Sequence, residues 1–444
     1  MNRGRGVFDA LETAPPAQVV AAAERAWADQ VATLAARSPF YARKWRNAGV
    51  GDGTVPLARL AELPLTEKDE LRTAQEAAPP WGDHLGVPPE SVVRAYRTSG
   101  TSGRPVVVAL TAEDAVTWTA IGCRSYTAAG LGPGARVVTP IGAGPFTAGQ
   151  AHFTLARLGT AASAEADTAG VTAALRSGLA DSLLATPSFA LHLEAAVAAS
   201  GEDGRTLGLK RVVVGGEPGG GLPEVRRRIE AWSGAVVREV AGLGEIAPSL
   251  FAECDEGDGM HFCGQGLVWI ELIDPADCSA LPIEDGVSAE LVYTALVRRA
   301  MPLVRFRSRD LATVSGDGGC PCGRTGPRVR IVGRTDDMVI VRGVNVYPSA
   351  VQAVIAGHGR PVTGRSRLVV PAGAVAVDPP LRVEAEVDRD LAEPEATALT
   401  ATLGDAIRSR LGFRADVVLL GAESFAGSQP KTAGVARPPG FTPR

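Results

Sequence analysis

The chain has 444 residues, of which 45% are apolar and 21% charged, and a formal net charge of −4. That length exceeds what one hydrophobic core normally serves, so two or more domains are expected. The small net charge without any basic run argues against nucleic acid or an acidic membrane surface as partner, and no stretch approaches the ~20 consecutive apolar residues of a membrane span.

Met1 to Pro16 carries no apolar run of the length a secretion signal needs, which makes a cytoplasmic protein the expectation. Six cysteines in such a chain suit metal binding or burial better than disulfides. Residues 17–36 are alanine-rich with apolar positions at helical spacing. Short β-branched runs ending in Gly or Pro follow at Arg136–Pro140 and Lys210–Gly216, with helical pattern between them around 170–196. This alternation predicts α/β layers with buried strands. From about Ser288 the pattern turns to alternating strands, as in Glu290–Thr294 and Pro302–Arg307.

Beyond Arg334–Met338 the sequence predicts a small α+β module of its own. Its strands are expected at 338–341, 367–370, 381–387 and 416–420, and its helices near 349–356 and 394–411. The tail from Gly427 to Arg444 is rich in Pro, Gly and Arg and is expected to lack regular structure unless it folds over a ligand. The fold class is therefore α/β, with a large N-terminal body of several subdomains, 1–335, and a small C-terminal domain, 336–444.

The stretch from Tyr96 to Pro105 combines hydroxyls and glycines and is closed by Arg104 and Pro105. Glycines let backbone N–H groups turn toward a ligand, and hydroxyls add donors, so Thr98, Ser99, Gly100, Thr101, Ser102 and Gly103 read as a phosphate-gripping loop, against the alternative of a plain flexible turn. No Gly-Lys-Ser/Thr is present, so it is not the loop of P-loop NTPases. Cys254, His261, Cys320 and Cys322 supply three thiolates and an imidazole, a closed tetrahedral set for structural zinc. Cys263 or Cys278 is an alternative ligand, and burial as small apolar groups is the alternative to metal altogether. A lone His152 is a candidate base, set against the commoner role of a satisfied core or surface histidine.

The loop resembles the nucleotide loop of adenylate-forming enzymes. Ser38–Tyr41, Leu63–Leu71, Gly144–Gly149 and Gly333–Met338 running into Arg342–Pro348 are similar, in the right order, to segments of the phenylacetate-CoA ligase-like branch. The resemblance implies that ATP and Mg²⁺ activate an aromatic or heteroaromatic carboxylic acid as acyl-AMP, with transfer to CoA, a carrier protein or an amine. It leaves a homodimer open. It implies that Asp310 takes the ribose hydroxyls, Arg334 the ribose and phosphate, Gly216, Glu217 and Pro218 the adenine, and Glu245 the magnesium ion. Tyr41, Phe146 and Gly149 stand where relatives build an aryl pocket, and the C-terminal domain would be a lid rotating about Asp336.

Three positions depart from the family pattern. Ala241 replaces an aromatic ring, Gly244 a hydroxyl, and Val435 the lysine that follows a glycine near the C-terminus, leaving Lys431 as the candidate substitute. These departures support a rival reading, an acyltransferase or amide-forming enzyme supplied with an activated acyl group. A non-catalytic binding protein is the rival from another class.

Overall fold

The computed structural model describes residues 6–98, 105–371, 374, 376–422, 424–425 and 434–437. Residue contacts divide the chain into two units: Met1–Ala135 with Ile141–Ala162 and Val240–Arg330, and Arg136–Pro140 with Ser163–Glu239 and Ile331–Arg444.

In the first unit the helix Pro16–Arg37 buries Ala23, Trp27, Val31 and Leu34, the helical spacing expected for residues 17–36. Pro16 takes the first helical position, where a missing N–H costs nothing. Helix Pro39–Asn47 follows, its start capped by Ser38, whose hydroxyl accepts from the Tyr41 N–H at 3.3 Å. Helix Lys68–Ala77 begins behind Glu67, which forms a capping box with Glu70. Strands Arg94–Arg97 and Val107–Leu110 pair antiparallel, so Thr98 and Val106 stand together at the open end of this ribbon. Helix Ala112–Ala128 is capped by Thr111 and Asp114 and buries residues on most of its circumference.

The rest of this unit is antiparallel. Ala247–Glu253 pairs with Met260–Phe262, and Ser288–Ala295 lies between Val268–Ile273 and Phe306–Gly316. Antiparallel pairing is thus in place by Ala247, ahead of the alternating strand pattern read from about Ser288. All but one residue of Ala247–Glu253 are buried, so the run shows no alternation to reveal a half-exposed strand.

The second unit contains the predicted parallel layer. Arg136–Thr139, Ser182–Ala185 and Arg211–Gly215 pair in parallel, and the helices Thr168–Arg176, Pro187–Ala199 and Pro223–Ser233 bury Val171, Leu191, Val225 and Ile229 in one core with these strands. The C-terminal module has its own core, in which Val339, Val351, Ile355, Leu368, Val383, Leu403 and Ile407 meet. Its sheet runs in the order Ala415–Leu420, Leu381–Val387, Val362–Val369, Gly434–Ala436. Ala356, on helix Pro348–His358, joins the core of the parallel layer, and Arg228 donates to the Val362 carbonyl at 2.9 Å.

Two details of the module differ from expectation. Strand Val362–Val369 starts ahead of residue 367 because a register irregularity between Val362 and Ser366 breaks its alternation. Gly434–Ala436, in the tail expected to be irregular, is a strand paired parallel with Arg367–Val369. No helix among the described residues is long and apolar enough to cross a membrane.

Candidate active site

Thr98 is buried at the mouth of the glycine-rich segment. Its N–H donates to the Val106 carbonyl at 3.0 Å, and its hydroxyl accepts from the Val106 N–H at 3.1 Å, closing the neck. Ser99, Gly100, Thr101, Ser102 and Gly103 lie outside the described residues.

Beside Thr98 lies the turn after strand Val236–Leu243, which holds Gly244 and Glu245. A Cβ at Gly244 would stand 2.8 Å from the Thr147 hydroxyl and 3.3 Å from the Thr98 methyl. The side chain absent at 244 is thus replaced in space by Thr147, which itself carries a hydroxyl. Glu245 is only 4% exposed, and the Lys68 ammonium lies 2.6 Å from its Oε1. The Glu245 carbonyl accepts from Arg298 at 2.9 Å, and the same guanidinium reaches the carbonyls of Ile246 and Ala109, both at 3.3 Å, while stacking 4.7 Å from the Trp118 ring. Burial pushes Arg298 down to about 10, so it stays cationic at neutral pH. Glu245 is therefore held from its backbone by one cation and faced by another.

Asp310 is half-buried on strand Phe306–Gly316, its N–H donating to Ser308 Oγ at 3.0 Å. The preceding Arg309 has a φ of 68° and donates to both Glu67 oxygens at 3.0 Å. Thr66 is stitched to the same strand, its N–H on the Arg305 carbonyl at 2.8 Å and its carbonyl taking the Arg307 N–H at 2.9 Å. Lys68 and Asp310 are thereby carried on chains that are locked together.

The three residues expected to line an aryl pocket have different surroundings. Tyr41 is fully buried, with Phe40 and Trp45 each 5.1 Å away between ring centroids; its hydroxyl accepts from the Val304 N–H at 2.8 Å, and burial raises its pKa. Phe146 is 36% exposed. Gly149 is buried, and a Cβ there would overlap the Ala143 carbonyl, so only glycine fits. His152 Nε2 donates to the Ile141 carbonyl at 2.6 Å, the arrangement of a satisfied structural histidine.

Cys254, His261, Cys320 and Cys322 come together with all four ligand atoms within 4.8 Å of one another. Cys254 and Cys320 sulfurs are 3.7 Å apart, and Cys322 Sγ lies 3.4 Å from His261 Nε2. A tetrahedron of ~2.3 Å Zn–S and ~2.0 Å Zn–N bonds has edges of about 3.5 to 3.8 Å, so the donor set fits zinc. Cys263 turns instead to the His261 carbonyl at 3.4 Å, and Cys278 does not belong to the group.

In the second unit Gly216, Glu217 and Pro218 follow strand Arg211–Gly215. Gly216 has a φ of 87°, which glycine adopts without strain. Glu217 is buried, and its Oε1 accepts from the Ser188 N–H at 2.7 Å at the start of helix Pro187–Ala199. Its Oε2 has no hydrogen-bond partner among the described residues, and burial pushes the carboxyl up to about 7. The side chain thus fixes the course of the 216–218 backbone. Arg334 makes a two-pronged contact with Asp336, 2.9 Å at each prong. Lys431 lies outside the described residues.

No protein-family model matches the chain. The phenylacetate-coenzyme A ligase of Pseudomonas putida is 36% identical over 319 residues, 71% of this chain and 70% of that one. That of Thermus thermophilus is 35% identical over 362 residues, 78% and 77% of the two chains. The chain belongs to the phenylacetate-CoA ligase family. In structure, a 2-hydroxyisobutyryl-CoA ligase in the postadenylation state, complexed with R3-HIB-AMP, matches with a TM-score of 0.83 at 27% identity, covering 96% of this chain and 91% of that one. The protein is accordingly an AMP-forming acid ligase of α/β fold, which removes the non-catalytic reading.

Within this family framework, three residues that the sequence did not single out stand at the site: Lys68, Thr147 and Arg298. Lys68 had a usable signal, being one of only four lysines in a chain with 45 basic residues. Thr147 lies within Gly144–Gly149, one of the segments that carry the family resemblance, whereas Arg298 had no signal, since its contacts are with residues far away in sequence.

Proposed function

We propose that the protein activates a flat aromatic or heteroaromatic carboxylic acid with ATP as the acyl-AMP and passes the acyl group to CoA. The observation that carries this reading is Glu245, a buried carboxylate held by Arg298 and faced by Lys68 beside the neck of the glycine- and hydroxyl-rich segment. A buried carboxylate so placed suits a metal-bound polyanion. Thr98 to Gly103 would grip the phosphates, Asp310 would accept from the ribose hydroxyls, and Gly216–Pro218 would lie along the adenine. Mg²⁺ held by Glu245 would neutralise phosphate charge. Arg334 and Lys431 would bring positive charge to the phosphate and the reacting carboxylate. Residues from 336 on would act as the lid, turning about Asp336 between the two half-reactions.

The attack of a carboxylate oxygen on the α-phosphorus needs no proton transfer. Its demands are alignment and compensation of growing negative charge, which is what fixed cations provide. Phe146 and the glycines near it would bound the acyl group, and zinc at the four-ligand cluster would be structural, with no open position. Pyrophosphate exchange driven by a panel of aromatic acids tests the reading; a silent panel overturns it. The rival in which the acyl group arrives already activated is favoured by Val435, and it predicts turnover from supplied acyl-AMP with no exchange. Offering CoA, an amine and a carrier protein to the same acyl-AMP decides the acceptor.

A further inference from the structure

We infer that Lys68 is a further catalytic residue of adenylation, a resident cation that shares the Glu245 carboxylate with the magnesium ion and turns to the substrate anions when that ion takes over. The inference rests on the reading of Glu245 as the magnesium holder.

Four observations converge on it. The Lys68 ammonium is 2.6 Å from a carboxylate that is 4% exposed, while the Lys68 side chain is 30% exposed, so the lysine is not sealed in with its partner. Lys68 is the first residue of helix Lys68–Ala77, where the helix dipole disfavours a cation. Local stability does not explain a lysine there, but its charge adds to the positive potential that a helix start already presents to an anion. The anchor is rigid: Glu67 is held by Arg309 at 3.0 Å and by Arg307 at 3.5 Å, and Thr66 is bonded into the strand that carries Asp310. The backbone leading into Lys68 is thus tied down, and its side chain ends on Glu245.

Composition points the same way. Arginine supplies nearly all the positive charge, and of the other described lysines Lys44 serves Glu70 and Lys210 serves Asp181. A compact ammonium on a flexible stem can leave a carboxylate for a phosphate more readily than a forked guanidinium. With Val435 at the position of the family lysine, a cation supplied from residue 68 fills the need. In the step itself an oxygen of the acid's carboxylate bonds to the α-phosphorus, the bond to the bridging oxygen breaks, and pyrophosphate leaves with that electron pair. No proton moves, and Lys68 offsets charge on the α-phosphoryl oxygens.

Lys68→Met tests this, with acid-dependent pyrophosphate exchange followed across a Mg²⁺ series and ATP binding measured by calorimetry over the same series. The exchange rate constant is expected to fall about 100-fold, as for the loss of one preorganised donor, with KM for the acid within threefold. The Mg²⁺ concentration at which ATP binding is half-maximal is expected to drop at least threefold, because the carboxylate no longer carries a competing cation. Exchange within twofold of wild type, or an unmoved Mg²⁺ midpoint, overturns the inference while leaving the adenylation reading intact. A silent wild type overturns both. Should Lys68→Met fail to fold, Lys68→Gln carries the same expectations.

Discussion

Arg324 donates to Glu12 across 2.9 Å, and neither side chain is more than 3% exposed. The guanidinium also reaches the Gly6 carbonyl at 2.7 Å and Cys322 Sγ at 3.8 Å, and the next residue, Thr325, donates to the Ala14 carbonyl at 2.7 Å. The loop that carries Cys320 and Cys322 therefore clamps the N-terminal segment. An ion pair this deep is costly to break from one side, by about 3–5 kcal/mol, because the remaining charge is stranded.

Two consequences can be separated. Cys322→Ser should abolish zinc, measured as metal per chain after purification without chelator. Zinc bound there would tie Cys254 to Cys320 across 66 residues, and closing a loop of that size is worth about 4 kcal/mol, or roughly 4 °C in Tm for a chain of 444 residues. Arg324→Met should keep its zinc yet expose Phe8 to chymotrypsin. Zinc near zero in the wild type would remove the metal reading, and a protected Phe8 in Arg324→Met would remove the clamp.

Glu217 gives a pH signature. Its pKa is raised from 4.5 to about 7 by burial, so between these values the folded state holds a proton that the unfolded chain has lost. Stability should then fall as pH rises from 4.5 to 7, the reverse of a salt-bridged carboxylate, by at most about 3 kcal/mol. Glu217→Gln keeps the acceptor for the Ser188 N–H and cannot ionise. It should melt with wild type at pH 5 and above it at pH 8. Equal melting at both values would mean that Glu217 ionises in the fold without cost.

Gly244 and Thr147 should be coupled. A side chain at 244 meets the Thr147 hydroxyl, so Gly244→Thr alone is expected to cost about 1–3 kcal/mol and to depress exchange. With Thr147→Ala in the same chain the clash is relieved, and the double variant should recover most of the loss. Additive effects in a double-mutant cycle would show that the two positions do not share one space.

Much of the architecture was written in local pattern. The helix over 17–36, the parallel runs at 136 and 211, and the module beyond Arg334 each have a period or a β-branched run that survives burial. The grouping of Cys254, His261, Cys320 and Cys322 was legible because thiolate chemistry narrows the choice to a few residues. What stayed hidden depends on distant partners. Nothing around Lys68 names Glu245, and nothing around Arg298 names the carbonyl it holds. Tyr41, expected at the acyl group, sits fully buried against Phe40 and Trp45, since an aromatic residue in a helix reads alike in a pocket and in a core. Gly434–Ala436 was hidden for another reason: three residues paired to a strand's edge leave no period in a tail of Gly, Pro and Arg.

That strand bears on the last open charge. Val435 pairs with Leu368 and packs, half-buried, on the module's core, so in this fold it is a packing residue. Lysine there would lose apolar contact and gain a charge that must reach past the sheet. Val435→Lys is therefore expected to cost about 1–2 kcal/mol in stability without raising exchange, whereas Lys431→Ala should lower exchange if that residue supplies a cation to the phosphate. The two variants, read beside Lys68→Met, apportion the charge. Exchange that rises in Val435→Lys would mean that the position has kept access to the reacting groups, and that the valine, rather than the lysines at 68 and 431, limits adenylation.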